Sequence, residues 1–227
     1  LSTVKSYSFN FSAQTLKMAR IAGMEYAEAA DAMTVAIRAF KMEMTDAEHV
    51  TDVYSKVAAV TASDTEELAV AMSKTASSAE SVGSSFENTT AMLAVMIETT
   101  RESAETAGTA MKTVIARFSE VKKLYTEGEI LGSDEEGEEI NVNKIQEALR
   151  KVGISMTGFF TGTQGLGDIL IELASKWDSL DKIQQRYIAT MAAGSRQQSR
   201  FIAMMSDYSR TTDLVNAANS SAGASNE

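Results

Sequence analysis

The sequence contains no cysteine and no proline. The first absence removes disulfides, thiolate metal sites and a cysteine nucleophile, and it fits a reducing compartment. The second is unusual: at an average usage near 5%, a chain of 227 residues would carry roughly 11 prolines. Proline breaks helix interiors, so its absence beside plentiful Ala, Met, Glu and Lys points to an all-helical chain. His49 is the single histidine, which excludes an HExxH zinc pair, a multi-histidine metal site and a Cys–His dyad. No uninterrupted apolar run approaches the roughly 18–20 residues of a membrane-spanning helix. Basic residues are in the minority, 21 against 31 acids, for a net charge of −10. That balance disfavours stable nucleic-acid binding, which needs clustered Lys and Arg, and docking on an anionic membrane surface.

What remains is an ordinary globular balance, 44% apolar and 23% charged. The opening "LSTVKSYSFNFS" has neither an initiator Met nor the apolar core of a signal peptide, so a piece of a longer protein is expected. Capping-box patterns, Ser or Thr followed three residues later by Glu or Gln, stand at Thr45/Glu48, Ser63/Glu66, Ser84/Glu87, Thr99/Glu102 and Ser195/Gln198. The first four each precede an apolar stripe at helical spacing, such as Val50, Val53, Val57 and Val60 after Thr45. Two further helices are predicted over about 11–22 and 24–41.

Composition then shifts. Glu127, Glu129, Asp134, Glu135, Glu136, Glu138 and Glu139 run without an intervening base, and residues 126–140 read as an acidic loop or linker. A helix is expected at about 141–151, with Ile145 and Leu149 facing inward. The segment "GISMTGFFTGTQGLGD" has glycine spacing that defeats a long helix. Helices over about 166–178, 180–193 and 196–217 complete the pattern, and "NSSAGASNE" is expected to fray. The prediction is an all-α, multi-helix bundle of about nine to ten short helices, with one Gly-rich loop or small hairpin near 153–166. Its parts are 1–125, the loop 126–140, 141–218 and the tail 219–227.

Signs of chemistry are sparse. His49 falls on the polar side of its helix and reads as solvent-facing. "GTQGLGD" has the wrong order for a dinucleotide or P-loop phosphate motif. Counted from Asp134, the acidic run places Glu139 where a calcium-binding EF-hand loop needs Gly. Glu25, Glu28 and Asp31 lie at helical spacing, with nothing to mark them as a glycosidase pair. The methionines and Trp177 read as core, and Arg196 and Arg200 as an exposed polar face. No catalytic, cofactor or metal site is predicted.

Residues 66–124, ending "TTRESAETAGTAMKTVIARFSEVKKL", resemble the core domain of phage tail tape measure proteins of the TP901 type. That family shows a Ser/Ala-rich helix, a turn like "VGSSFEN" around Gly83, and a T-R-x-S-A-E-T-x-G stretch leading into K-T-I-x-A-R. Gly108, Lys112 and Arg117 occupy matching positions in the latter. Downstream, "KVGIS" at Gly153 and the "AGSRQ" join holding Gly194 and Arg196 resemble the same domain, and the likeness spans about 25–210. "TGFFTGTQG" departs from the turn the family often carries.

The resemblance implies a structural protein of the virion that lies in the tail tube lumen, helps set tail length, templates tube assembly and leaves during DNA ejection. It implies passage through the host cytoplasm during assembly. The implied partners are other copies of itself, tail tube protein, distal tail or baseplate proteins and tail assembly chaperones, with no cofactor. A helical signalling or adaptor module and a cell-wall lytic module remain as alternatives. Gly108 also gains a physical reading. With Ala104, Ala107 and Ala110 it forms a small patch that lets another helix approach, offsetting the roughly 1 kcal/mol that glycine costs a helix. That neighbour is either intramolecular, the favoured reading, or another subunit.

Overall fold

The computed structural model describes residues 2–226, with side chains described from Asn10 onward except at positions 80 and 208. The fold is all-α. The first part of the chain forms α1 (Ser2–Ala22), α2 (Tyr26–Ala39), α3 (Ala47–Ala59), α4 (Thr65–Ala79), α5 (Phe86–Thr100) and α6 (Ala104–Glu127). A small antiparallel hairpin follows, β1 (Leu131–Ser133) and β2 (Glu139–Asn141), with Gly132 opposite Ile140. The chain continues through α7 (Val142–Lys151), α8 (Thr157–Thr161), α9 (Leu166–Lys176), α10 (Lys182–Met205) and α11 (Tyr208–Asn219).

For α3 to α6 the N-cap residues sit one to four positions beyond the sequence-predicted caps. At α4 the reciprocal box is Asp64/Glu67, with Asp64 N–H donating to Glu67 at 3.1 Å and Glu67 N–H to Asp64 at 2.8 Å. The carboxylate of Asp64 is the stronger acceptor beside a helix N-terminus, and the Ser63 hydroxyl turns to Thr61 instead. Ser85 rather than Ser84 caps α5, and Ser103 caps α6.

α5 is buried without interruption from Thr89 to Ile97, as a helix apolar on every side must be. It packs against α3, α4, α6, α10 and α11, and one apolar cluster runs from Met18 to Ala218. The two sides of the acidic stretch therefore share a core. Three long-range arginine contacts join them as well. Arg200 grips Glu102 with two nitrogens, Arg210 grips Glu98 at 2.9 and 3.1 Å, and Arg117 reaches α10.

Three local expectations change. A small hairpin lies at 131–141, largely inside the acidic loop or linker expected at 126–140, and not in the Gly-rich loop or small hairpin expected near 153–166. Most of 126–140 is exposed, but the hairpin is anchored. Ile140 is fully buried, and Gly132 passes so close to α6 that a Cβ there would lie 2.9 Å from Leu124. The Gly-rich segment instead contains α8. Phe159 is buried against Phe118, and Phe160 stacks on Tyr125 at 3.8 Å; these aromatic contacts hold a single helical turn between Gly153 and Gly162. The tail does not fray within the described residues. The Asp52 carboxylate on α3 accepts from Gly223 N–H at 2.6 Å, from Ser225 N–H at 2.9 Å and from the Ser225 hydroxyl. Burial opposes ionisation of Asp52, but those bonds outweigh it and hold its pKa below the usual carboxylate value.

Candidate functional site: a buried arginine between an acidic hairpin and a helix break

Lys112 and Arg117, five residues apart on α6, both face the hairpin. Lys112 is 3.4 Å from Glu135 on the exposed side. Arg117 is 1% exposed, a position that an arginine holds only when its donors are matched. Its Nη1 donates to Asp134 and lies 3.8 Å from Glu138. Its Nη2 donates to the Glu139 carbonyl at 3.1 Å, and its Nε to the Met191 carbonyl of α10, also at 3.1 Å.

Asp134 serves two directions. One carboxylate oxygen meets Arg117, while the other accepts from Glu136 N–H at 3.0 Å and Glu138 N–H at 2.8 Å. This short-range folding of an Asp on its own turn closes the loop, and Gly137 takes the left-handed conformation (φ +80°) that the turn requires. The acidic run is thereby bent around a cation from the same chain.

Gly194 lies where α10 breaks. Its φ of 72° and ψ of 170° are non-helical, and residues on both sides remain helical. Ser195 N–H donates to Glu138 at 2.8 Å, and the Ser195 hydroxyl donates to the same carboxylate. Those two bonds hold the Glu138 pKa below its usual value, with the Arg117 charge adding to them. Arg196 completes the contact at 3.1 Å from Glu136. Four residues singled out in the sequence, Lys112, Arg117, Gly194 and Arg196, therefore converge on the hairpin.

The other three lie elsewhere. Gly108 is where α4 crosses α6: a Cβ there would sit 2.5 Å from the Ala71 carbonyl oxygen and 3.0 Å from Lys74 Cβ. The Thr75 hydroxyl bridges the crossing to the Gly108 carbonyl at 3.0 Å. Gly83 (φ +65°) touches the start of α9, where a Cβ on Gly165 would overlap its carbonyl. The "GTQGLGD" segment is thus filled by protein backbone at that point. Gly153 (φ +76°) ends α7 through bonds from Gly153 N–H to Arg150 and from Ile154 N–H to Leu149, both 2.9 Å, a Schellman-type stop.

Sequence reasoning missed two contacts of this kind. Arg200 is not part of a free polar face, because it is held by Glu102. His49 is not simply solvent-facing: its Nε2 lies 2.6 Å from Glu87 on α5. The hydrogen bond to Glu87 raises the His49 pKa against the effect of burial, and the same bond lowers that of Glu87. The pair's contribution from His49 is complete below the unfolded value near 6.5 and is lost as pH rises through the raised folded value. The share from Glu87 is lost as pH falls through its lowered value. His49→Gln is therefore expected to cost at most about 1 kcal/mol at a partly exposed pair, most at pH 5–6. Thermal melts at pH 5.5 and 8.5 should show the gap from wild type closing at the higher pH, and a gap of equal size at both would refute the assignment.

Among the described residues no group of three or more His, Cys, Asp or Glu is placed to hold a metal ion, and no helix is long and apolar enough to cross a membrane. Glu28 is engaged at the start of α2, accepting from Glu25 N–H at 3.2 Å. The chemistry on view is cohesive: charged groups join elements distant in sequence.

Residues 7–194 match the family model described as phage-related minor tail protein. Among curated proteins, the tape measure protein of Pneumococcus phage Dp-1 is 40% identical over 76 residues. That match covers 34% of this chain and 7% of the Dp-1 protein. No solved structure matches.

Proposed function

Because the chain belongs to the phage-related minor tail protein family, we propose that it is a structural segment of a tail tape measure protein. The observation that carries this reading is the 40% identity to a protein named for that role. In this reading the segment lies within the tail tube, tube protein polymerises around copies of it, and its length contributes to tail length. It leaves ahead of the DNA at ejection. Its partners are other copies of itself, tube protein, distal tail or baseplate proteins and assembly chaperones. It is not an enzyme.

Physical features agree with that role. A net charge of −10 suits a lumen through which DNA must slide without adhering. Helical rise is about 1.5 Å per residue, so 227 residues as one helix would span roughly 340 Å. The folded helices contain 24 residues at most, so contributing that full helical length requires the bundle to open into extended helix. An in-frame duplication of residues 46–121 in a phage carrying this chain tests the reading. Longer tails are expected, and tails of unchanged length would count against a measuring role.

A further inference from the structure

The break in α10 divides one backbone hydrogen bond between two side chains. In a continuous α-helix, Ser195 N–H would donate to the Met191 carbonyl, four residues earlier. Here Gly194 turns that N–H outward, where Glu138 accepts it at 2.8 Å. The vacated Met191 carbonyl accepts from Arg117 Nε at 3.1 Å. Arg117 and Glu138, themselves 3.8 Å apart, thus replace both halves of the missing helical bond. Gln198 spans the same point, bonding to Thr190 at 3.2 Å and to the Ser195 carbonyl at 3.1 Å.

We infer that α10 is a two-state hinge, held bent by the Arg117–Glu138 wedge and able to straighten when the hairpin withdraws. Three features support this. The donor and acceptor needed for the straight state lie on the same helix and are each satisfied by a group from outside it. Gly194 has access to both the left-handed and the helical region. The segments on either side are already helical, so straightening restores the missing bond within an existing helix, which avoids the cost of nucleation. The straight form is a helix of 24 residues, about 36 Å long. Straightening redirects residues 196–205 relative to 182–193, so contacts such as Arg200 with Glu102 have to be exchanged. This hinge does not depend on any role in tail measurement.

The absence of cysteine makes the test direct. Ile183→Cys and Ser199→Cys introduce one pair of exposed labelling sites, 16 residues apart and about 24 Å apart along a continuous helix. Nitroxide distances by pulsed electron resonance are compared in this background, in Glu138→Ala and in Gly194→Ala. The first variant removes the wedge. The second disfavours the positive φ and places a Cβ 2.7 Å from Glu138, so it reads the same equilibrium should the first fail to fold. Both are expected to move the distribution to the continuous-helix separation, and Glu135→Ala at the exposed hairpin tip is expected to leave it unchanged. A distribution identical to that of the parent in a folded Glu138→Ala or Gly194→Ala protein would overturn the hinge.

Discussion

Arg117→Ala is expected to cost about 3–5 kcal/mol of stability, the range for removing one partner of a buried ion pair. The substitution leaves Asp134 with a side chain that is 5% exposed and without its cation. It also strips the donor from the carbonyls of Glu139 and Met191. Unsatisfied buried groups, rather than the net worth of the pair, dominate the loss. For a chain of this length the drop corresponds to a melting temperature lower by about 6–20 °C. Arg117→Lys should recover only part of it, because a single ammonium cannot reproduce a planar fork that reaches the hairpin and α10 together. Adding Asp134→Asn to Arg117→Ala should restore some stability by neutralising the stranded carboxylate. Thermal and denaturant unfolding of the single and double variants measure this coupling. Additive effects would show that the pair is not coupled.

The second large effect concerns Gly108, where two principles predict opposite signs. Helix propensity alone makes Gly108→Ala stabilising by about 1 kcal/mol. Packing predicts destabilisation, since the new Cβ would lie 2.5 Å from the Ala71 carbonyl oxygen. The obstacle is helix backbone, not the end of a flexible side chain, so α4 and α6 must separate. Overpacking of that kind costs about 1–3 kcal/mol, and parting the helices also weakens the Thr75–Gly108 bond. We expect Gly108→Ala to lower stability by about 1–2 kcal/mol and Gly108→Leu by more than about 3 kcal/mol. Denaturant midpoints for both variants provide the check. A more stable Gly108→Ala would mean that propensity wins and that α4 and α6 part at little cost.

These effects divide into what periodicity reveals and what it hides. The helices were legible because each apolar stripe recurs at helical spacing and no proline interrupts it. Gly108 stood out because glycine inside a run of good helix formers needs a packing reason. The hairpin was hidden: "LGS" and "EIN" are three-residue strands, shorter than the run over which alternation can be recognised. Its location in an acidic stretch depends on Arg117, whose place in the "ARF" sequence does not indicate the side chains it meets. The same holds for Arg200 with Glu102 and Arg210 with Glu98, pairs separated by 98 and 112 residues. The tail is polar and without period; three bonds to one buried-side carboxylate, Asp52, fix it. Local pattern carries no record of such partners.

A tape measure role requires this segment, folded on itself in isolation, to contribute length when it serves in a tail. The most direct test is the tail length, by negative-stain microscopy, of phage carrying an in-frame deletion of residues 46–121. Those 76 residues account for about 114 Å as continuous helix. Intact tails shortened by about that amount are expected. Intact tails of normal length would contradict that role, because the measuring would then lie wholly outside this segment.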